Sequence, residues 1–227
     1  VRGLMDDGRS HIVAMTGSYF RGDAIPVLRP EDEEKFTRVT YTYYEQLNGY
    51  EHLKTLGIGY HFYRGQYYEA LPEVLDLSKK TIIHIPHRGS GSATDDKYDE
   101  IDRVIDVIGT FVSKDDVTGF YSVKTDDGPV LKIADLVDPE NQSRALDALR
   151  TIKSRDDVDM VIALGMAKEG FDWPYCEHAL TVGYRGSLTE VIQIIGRATR
   201  DSDDKVHAQF TNLIPEPDTD RDNVVDA

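Results

Sequence analysis

The stretch Val158-Asp159-Met160-Val161-Ile162-Ala163-Leu164 is almost unbroken apolar sequence. Such a run predicts a strand buried on both faces, the habit of a parallel sheet. Outward from it, His178 to Val182 reads as another strand. Leu188 to Arg200 reads as a helix with Leu188, Val191, Ile192 and Ile195 on its apolar side. Val206 to Leu213 is a last strand. Upstream, Thr81 to Ile85 is a strand followed by the glycine-rich polar loop His87 to Ser92. Ile101, Val104, Ile105 and Ile108 share one helical face over 97–109, and Gly119 to Lys124 is a further strand. Ala145, Leu149 and Ile152 mark a helix capped by Asn141 or Ser143. Strands alternating with helices imply right-handed βαβ units, hence an α/β fold with a mainly parallel sheet. Ligands of such sheets gather at the carboxyl ends of the strands, where most of the polar, glycine-containing segments fall.

The N-terminal third is less regular. His11 to Met15 reads as a short buried strand ending at Thr16-Gly17-Ser18. Residues 19–35, with Pro26, Pro30 and the acidic run Glu31 to Glu34, read as a connector. The tripeptide Arg21-Gly22-Asp23 is too short to carry meaning alone. Residues 36–77 hold eight of the thirteen tyrosines (41, 43, 44, 50, 60, 63, 67 and 68) and predict helix, loop, then an irregular or strand segment. Packing with the hydroxyls at the wet edge accounts for them better than base stacking. The tail from Pro215 to Ala227 is acidic and expected to be flexible.

Composition narrows the classes. A length of 227 residues allows one larger domain, or one domain with a long attached segment. With 40% apolar and 30% charged residues the chain falls among ordinary globular proteins. No apolar run approaches the roughly 20 residues of a membrane span. The single cysteine, Cys176, excludes an internal disulfide and a cysteine-based zinc site, fits a reducing, cytoplasmic setting, and reads as an inert core thiol. Seven histidines are scattered without metal-ligand spacing, and His84 reads as a core residue. A formal charge of −15 argues against a generic basic coat for nucleic acid, though a local basic groove is compatible with it. The absence of both a leader and an initiator Met is what a piece of a longer protein would show.

Chemistry concentrates in Gln193-Ile-Ile-Gly196-Arg197-Ala-Thr-Arg200. Residues three apart on a helix project from one face, so Arg197 and Arg200 aim together, with Gln193 one turn earlier. Two such guanidinium groups suit a polyphosphate undergoing transfer, whose charge must be matched in the transition state. Surface ion pairs with Asp201 or Asp203 are the plain alternative. Gly196 leaves room for another element to approach the backbone closely.

Gln-x-x-Gly-Arg-x-x-Arg resembles motif VI of superfamily 2 helicases and translocases. Ala167-Lys168-Glu169-Gly170-Phe171-Asp172-Trp173-Pro174 is similar to their motif V, Thr81 to Pro86 to the motif IV strand, and Met15-Thr16-Gly17-Ser18 to motif III. The four stand in the family's order and span Ile12 to about Ile214. Their wording is closest to DEAD/DEAH-type and restriction-enzyme motor subunits. In that family two RecA-like three-layer domains clamp ATP between them. This chain has neither the Gly-x-x-x-x-Gly-Lys-Ser/Thr loop nor an Asp-Glu-x-His box.

The resemblance therefore implies a second RecA-like domain over 80–214. Residues 1–23 would be the last strand and motif III of a first domain, 24–79 a tyrosine-rich connector, and 215–227 the tail. It implies the C-terminal motor domain of an ATP-dependent DNA or RNA helicase or translocase. The longer protein would hydrolyse ATP and the fragment alone would not. Carried over by position, Arg200 is the arginine finger and Arg197 a second γ-phosphate contact. Gln193 stands at the domain interface near the nucleotide. Gly170 and Asp172 line the cleft, Asp172 meeting the ribose or a motif VI arginine, unless it merely caps a helix or a turn ahead of Pro174. Thr16 and Ser18 couple the nucleotide to domain closure.

His87, Arg88, Ser90 and Ser92, with the backbone of Gly89 and Gly91, would meet nucleic-acid phosphates. Lys168 is the donor nearest a motif V position where the family's Thr is replaced by Leu164 or Gly165. ATP and Mg²⁺ are implied, the Mg²⁺ held by the first domain. Implied partners are nucleic acid (DNA ahead of RNA), the first domain in cis, and a nuclease or specificity subunit, with no membrane. The competing expectation is a non-catalytic RecA-like scaffold that docks protein or nucleic acid.

Overall fold

A computed structural model describes residues 3, 6–7, 9–15, 28–86, 97–126, 128–164, 171–185 and 187–216. In chain order the elements are α1 (Pro30–Glu33), α2 (Tyr43–Asn48), β1 (Thr55–Tyr63), α3 (Tyr67–Val74), β2 (Thr81–Ile85), α4 (Lys97–Ile108) and β3 (Thr110–Lys114). They continue as β4 (Tyr121–Lys124), β5 (Val130–Asp135), α5 (Pro139–Arg150), β6 (Met160–Leu164), β7 (His178–Val182), α6 (Leu188–Ala198) and β8 (His207–Pro215). Among the described residues one eight-stranded sheet runs in the order β1-β8-β7-β2-β6-β5-β4-β3. From β1 across to β5 the neighbouring strands pair in parallel, and β4 and β3 extend the sheet antiparallel. The fold is α/β, a RecA-like three-layer sandwich.

Strand β6 explains the layering. Val161 and Ala163 enter one core with α5 and α6, through Ala145, Leu149, Ile194, Ile195 and Ala198. Met160 and Ile162 enter a second core with α3 and α4, through Leu71, Ile101, Val104, Ile105 and Ile108. Side chains of a strand alternate between faces, so a run without polar interruption must be covered on both sides. Each such Val or Ile contributes about 1.5–3 kcal/mol by leaving water.

Several expectations change in detail. Residues 10–15 carry no regular structure, and Val13 and Met15 are exposed, so the buried strand over His11 to Met15 is not there. The stretch 55–74, read as connector, supplies β1 and α3: β1 pairs with β8 along its whole length, and Tyr63 and Tyr67 are buried in the second core.

Helix α5 is capped by Asp138, whose carboxylate accepts from the Glu140 N–H at 3.0 Å ahead of Pro139. Neither Asn141 nor Ser143 does this. Asn141 is buried inside the helix and its amide donates to the Gly119 carbonyl at 3.0 Å. Gly119 has φ +74, and a Cβ there would lie 2.4 Å from Asn141 Oδ1. Pro215 and Glu216 belong to the fold rather than to a tail, because Pro215 ends β8 and the Glu216 N–H donates to the Tyr63 carbonyl at 2.9 Å. The rest of the predicted tail, 217–227, lies outside the described residues.

Candidate nucleotide-facing site

Helix α6 begins at Ser187, whose hydroxyl accepts from the Glu190 N–H at 3.4 Å. Ile194, Ile195 and Ala198 bury one stripe against the sheet, which turns Gln193 and Arg200 outward. Because α6 runs antiparallel to the strands it connects, its carboxyl end returns to their amino ends. Arg197 and Arg200 therefore emerge beside the segments that lead into β1 and β7, not at the carboxyl edge where the general rule for parallel sheets places ligands.

There they meet the chain ahead of β7. Arg200 Nε stands 3.5 Å from Asp172 Oδ1, with the two side chains 53% and 70% exposed. The Arg197 guanidinium lies over the Phe171 ring, 5.1 Å from its centroid. Ile82, Phe171, Asp172, Trp173, Arg197 and Arg200 line one small, open depression. So the fold joins the two segments that resemble motifs V and VI, and leaves at least one guanidinium edge of Arg200 facing solvent. Asp172 therefore has Arg200 as its ion-pair partner in this structure. An anion entering this depression would compete with Asp172 for Arg200 and would gain the second cation, Arg197.

Asp201, expected only as a surface ion-pair partner of the arginines, and Lys205, which the sequence pattern does not single out, hold this corner together. Asp201, next to Arg200, accepts from three successive backbone N–H groups, those of Glu51, His52 and Leu53, at 2.7, 3.1 and 2.8 Å. Partial burial works against its charge, yet these donors hold the carboxyl below the usual aspartate value. Lys205 is wholly buried and donates to the carbonyls of Pro174 at 2.6 Å and Cys176 at 2.9 Å. The available signals were an acid directly after the arginine pair and a lysine abutting the apolar run of β8. Beneath them, Glu177 pairs with Lys79 and Arg155, and Lys80 with Asp159, closing the amino ends of β2, β6 and β7.

Other expected residues are placed as follows. Gln193 is exposed on α6 and makes no part of the depression. A methyl group added at Gly196 would touch nothing within 4 Å, so no element of the described chain uses the room it leaves. Thr16, Ser18, His87, Arg88, Ser90, Ser92, Lys168 and Gly170 lie outside the described residues. Cys176 is buried, its thiol donates to the His178 carbonyl at 3.4 Å, and burial pushes its pKa up to about 12, the state of an unreactive thiol. His84 is buried in the sheet. Among the described residues no group of three or more His, Cys, Asp or Glu is placed to hold a metal ion. The donors among the described residues do not fit a Mg²⁺ site. No helix among them is long and apolar enough to cross a membrane.

No family model matches the chain. A protein of Bacillus subtilis (strain 168) named "Putative ATP-dependent helicase YeeB" is 61% identical to it over 227 residues, 99% of this chain. The chain is its relative from end to end. It spans 38% of that protein's length.

Proposed function

We propose that this chain is the second RecA-like motor domain of an ATP-dependent helicase or translocase. One observation carries the reading: Arg200 and Arg197, on the last turn of α6 and just beyond it, converge with Asp172 and Phe171 on one open depression. The relative's name agrees with it. In this reading a first RecA-like domain of the same polypeptide, ending near residue 23, holds ATP and Mg²⁺ and closes onto the depression. Arg200 leaves Asp172 for the γ-phosphate, and Arg197 adds a second contact. Charge develops on the phosphoryl oxygens during transfer, and fixed guanidinium groups match it with no reorganisation at that moment. Asp172 keeps Arg200 extended in the meantime, at little cost, since an exposed pair of this kind is worth about 0–1 kcal/mol. Gln193, exposed one turn earlier, and the open space at Gly196 suit the same approaching domain.

Nucleic acid, DNA before RNA, meets the chain segments that follow β2 and β6 in sequence, for which His87, Arg88, Ser90, Ser92 and Lys168 are the donors. Thr16 and Ser18 couple the nucleotide to closure, and Gly170 lines the cleft beside Asp172. A nuclease or specificity subunit is a further partner, and the setting is the cytoplasm. By itself the chain binds no Mg·ATP productively and turns nothing over.

The test is ATP hydrolysis by the full-length parent protein, with and without single- and double-stranded DNA and RNA, against its Arg200→Ala variant. Hydrolysis stimulated by one nucleic acid and lost in the variant is expected. A folded parent that hydrolyses no ATP under any of these conditions would instead be a docking scaffold.

A further inference from the structure

Lys205 is the one wholly buried lysine among the described residues. It follows a turn in which Asp204 takes φ 65, the left-handed region that an aspartate tolerates better than most residues. That turn aims the ammonium inward, to the carbonyls of Pro174 and Cys176. No carboxylate lies within 4 Å of it among the described residues. Of the titratable groups that face it, Glu177 and Asp201 favour the ammonium and Arg155 opposes it, while the Cys176 thiol, raised to about 12, stays neutral beside it.

A buried ammonium is costly, and an apolar side chain of similar volume would fill the space at less expense in free energy. What an apolar chain cannot do is hold two carbonyls. The two that Lys205 holds belong to the turn immediately after Asp172 and Trp173. Lys205 itself belongs to the loop immediately after Arg200. From the other side of that loop, Asp201 grips the backbone of residues 51–53. Arg200 thus stands next to one anchor and a few residues before another.

We propose that Lys205 is a positioning residue for the arginine pair. By tying the Pro174–Cys176 turn to the loop that follows α6, it fixes Asp172 and Arg200 relative to each other, and so the aim of Arg200 at a phosphate. This inference rests on Arg200 being an arginine finger. Burial lowers the Lys205 pKa to about 8, which brings its titration into the range of an ordinary assay. The charged form makes the stronger bonds to the two carbonyls, so the tie loosens as pH rises through that value.

The experiment is nucleic-acid-stimulated ATP hydrolysis by the full-length parent from about pH 7 to pH 9.5, for the native protein and its Lys205→Met, Lys205→Arg and Arg200→Ala variants. For Lys205→Met, kcat at pH 7.5 is expected to fall about tenfold with KM for ATP within about twofold, the pattern of a lost transition-state contact. A merely structural role would lower thermal stability and leave kcat per folded molecule unchanged. Native kcat is expected to fall above pH 8, and Lys205→Arg, which keeps its charge, to lack that fall. Native-like kcat in Lys205→Met overturns the proposal; where neither lysine variant folds, a flat native profile to pH 9.5 does so. Loss of turnover in Arg200→Ala beside native turnover in Lys205→Met removes this inference alone. Native turnover in Arg200→Ala removes the reading beneath it.

Discussion

Arg200 and Asp172 face each other at 3.5 Å across the corner where α6 ends and β7 is about to begin, and both remain more than half exposed. An exposed pair contributes about 0–1 kcal/mol, so its purpose is not stability. Replacing Arg200 with Ala should leave the urea midpoint of the protein almost unchanged. In the full-length parent the same change should lower kcat by about 10³-fold or more, the usual worth of an arginine finger, with ATP binding mostly intact. Asp172→Asn should be milder, because it frees Arg200 without removing it. Steady-state kinetics beside urea denaturation checks both; a large stability loss with unchanged kcat would contradict the assignment.

Asp201 predicts the opposite signature. Its carboxylate is the acceptor for three backbone N–H groups ahead of β1. Asp201→Ala strands those donors beside the sheet and should cost about 1–3 kcal/mol, more than an average surface change. Asp201→Asn, which keeps one acceptor oxygen, should cost less. Equilibrium urea denaturation of the two variants gives the order directly, and equal losses would show that only the space, not the acceptors, matters.

These two neighbours show what is legible in the chain. Spacing marks Arg197 and Arg200 as neighbours, although the helix ends at Ala198 and Arg200 lies just past it, and the nearly unbroken run at 158–164 marks the sheet, because both signals are local. Strand β5 gives little signal: its exposed Val130 and Lys132 alternate with buried Leu131 and Ile133 over only a few residues before Ala134 and Asp135 are buried too. β1 is hidden among tyrosines and glycines, and its place beside β8 is fixed by pairing partners about 150 positions away. Neither segment alone says which strand it pairs with. The arginines' position at the amino end of the sheet is likewise invisible, since it follows from the direction of α6 against strands on either side. Lys205 looks like any surface lysine, and only the folded chain shows the carbonyls it holds.

Gly119 is a sharper test of packing. Its φ of +74, and the 2.4 Å that would separate a Cβ there from Asn141 Oδ1, leave no room for a side chain. Gly119→Ala should therefore lose about 1–3 kcal/mol, from backbone strain together with displacement of the buried Asn141 amide. Asn141→Ala combined with it should lose less than the sum of the two single changes, because the clash partner is gone. Thermal or urea denaturation of the single and double variants measures the difference; strict additivity would mean that the strain lies in the backbone alone.

His178 sets the acid limit of the fold. It is buried at the start of β7, with Nε2 3.0 Å from the Thr211 hydroxyl, and burial pushes its pKa down to about 4. The unfolded chain takes up a proton near pH 6.5, the folded chain only near pH 4. Between those values the unfolded state binds more protons, so stability is fully present above pH 6.5 and drains away as pH falls toward 4. A shift of this size corresponds to about 3 kcal/mol across the window. His178→Gln, which keeps a polar group near Thr211 and cannot titrate, should flatten that part of the stability profile while lowering stability at neutral pH. Urea midpoints measured from pH 7.5 down to 4.5 decide it. If the native protein and the variant lose stability in parallel, the acid sensitivity belongs to carboxylates elsewhere, such as Asp201, whose depressed pKa puts its own loss at lower pH.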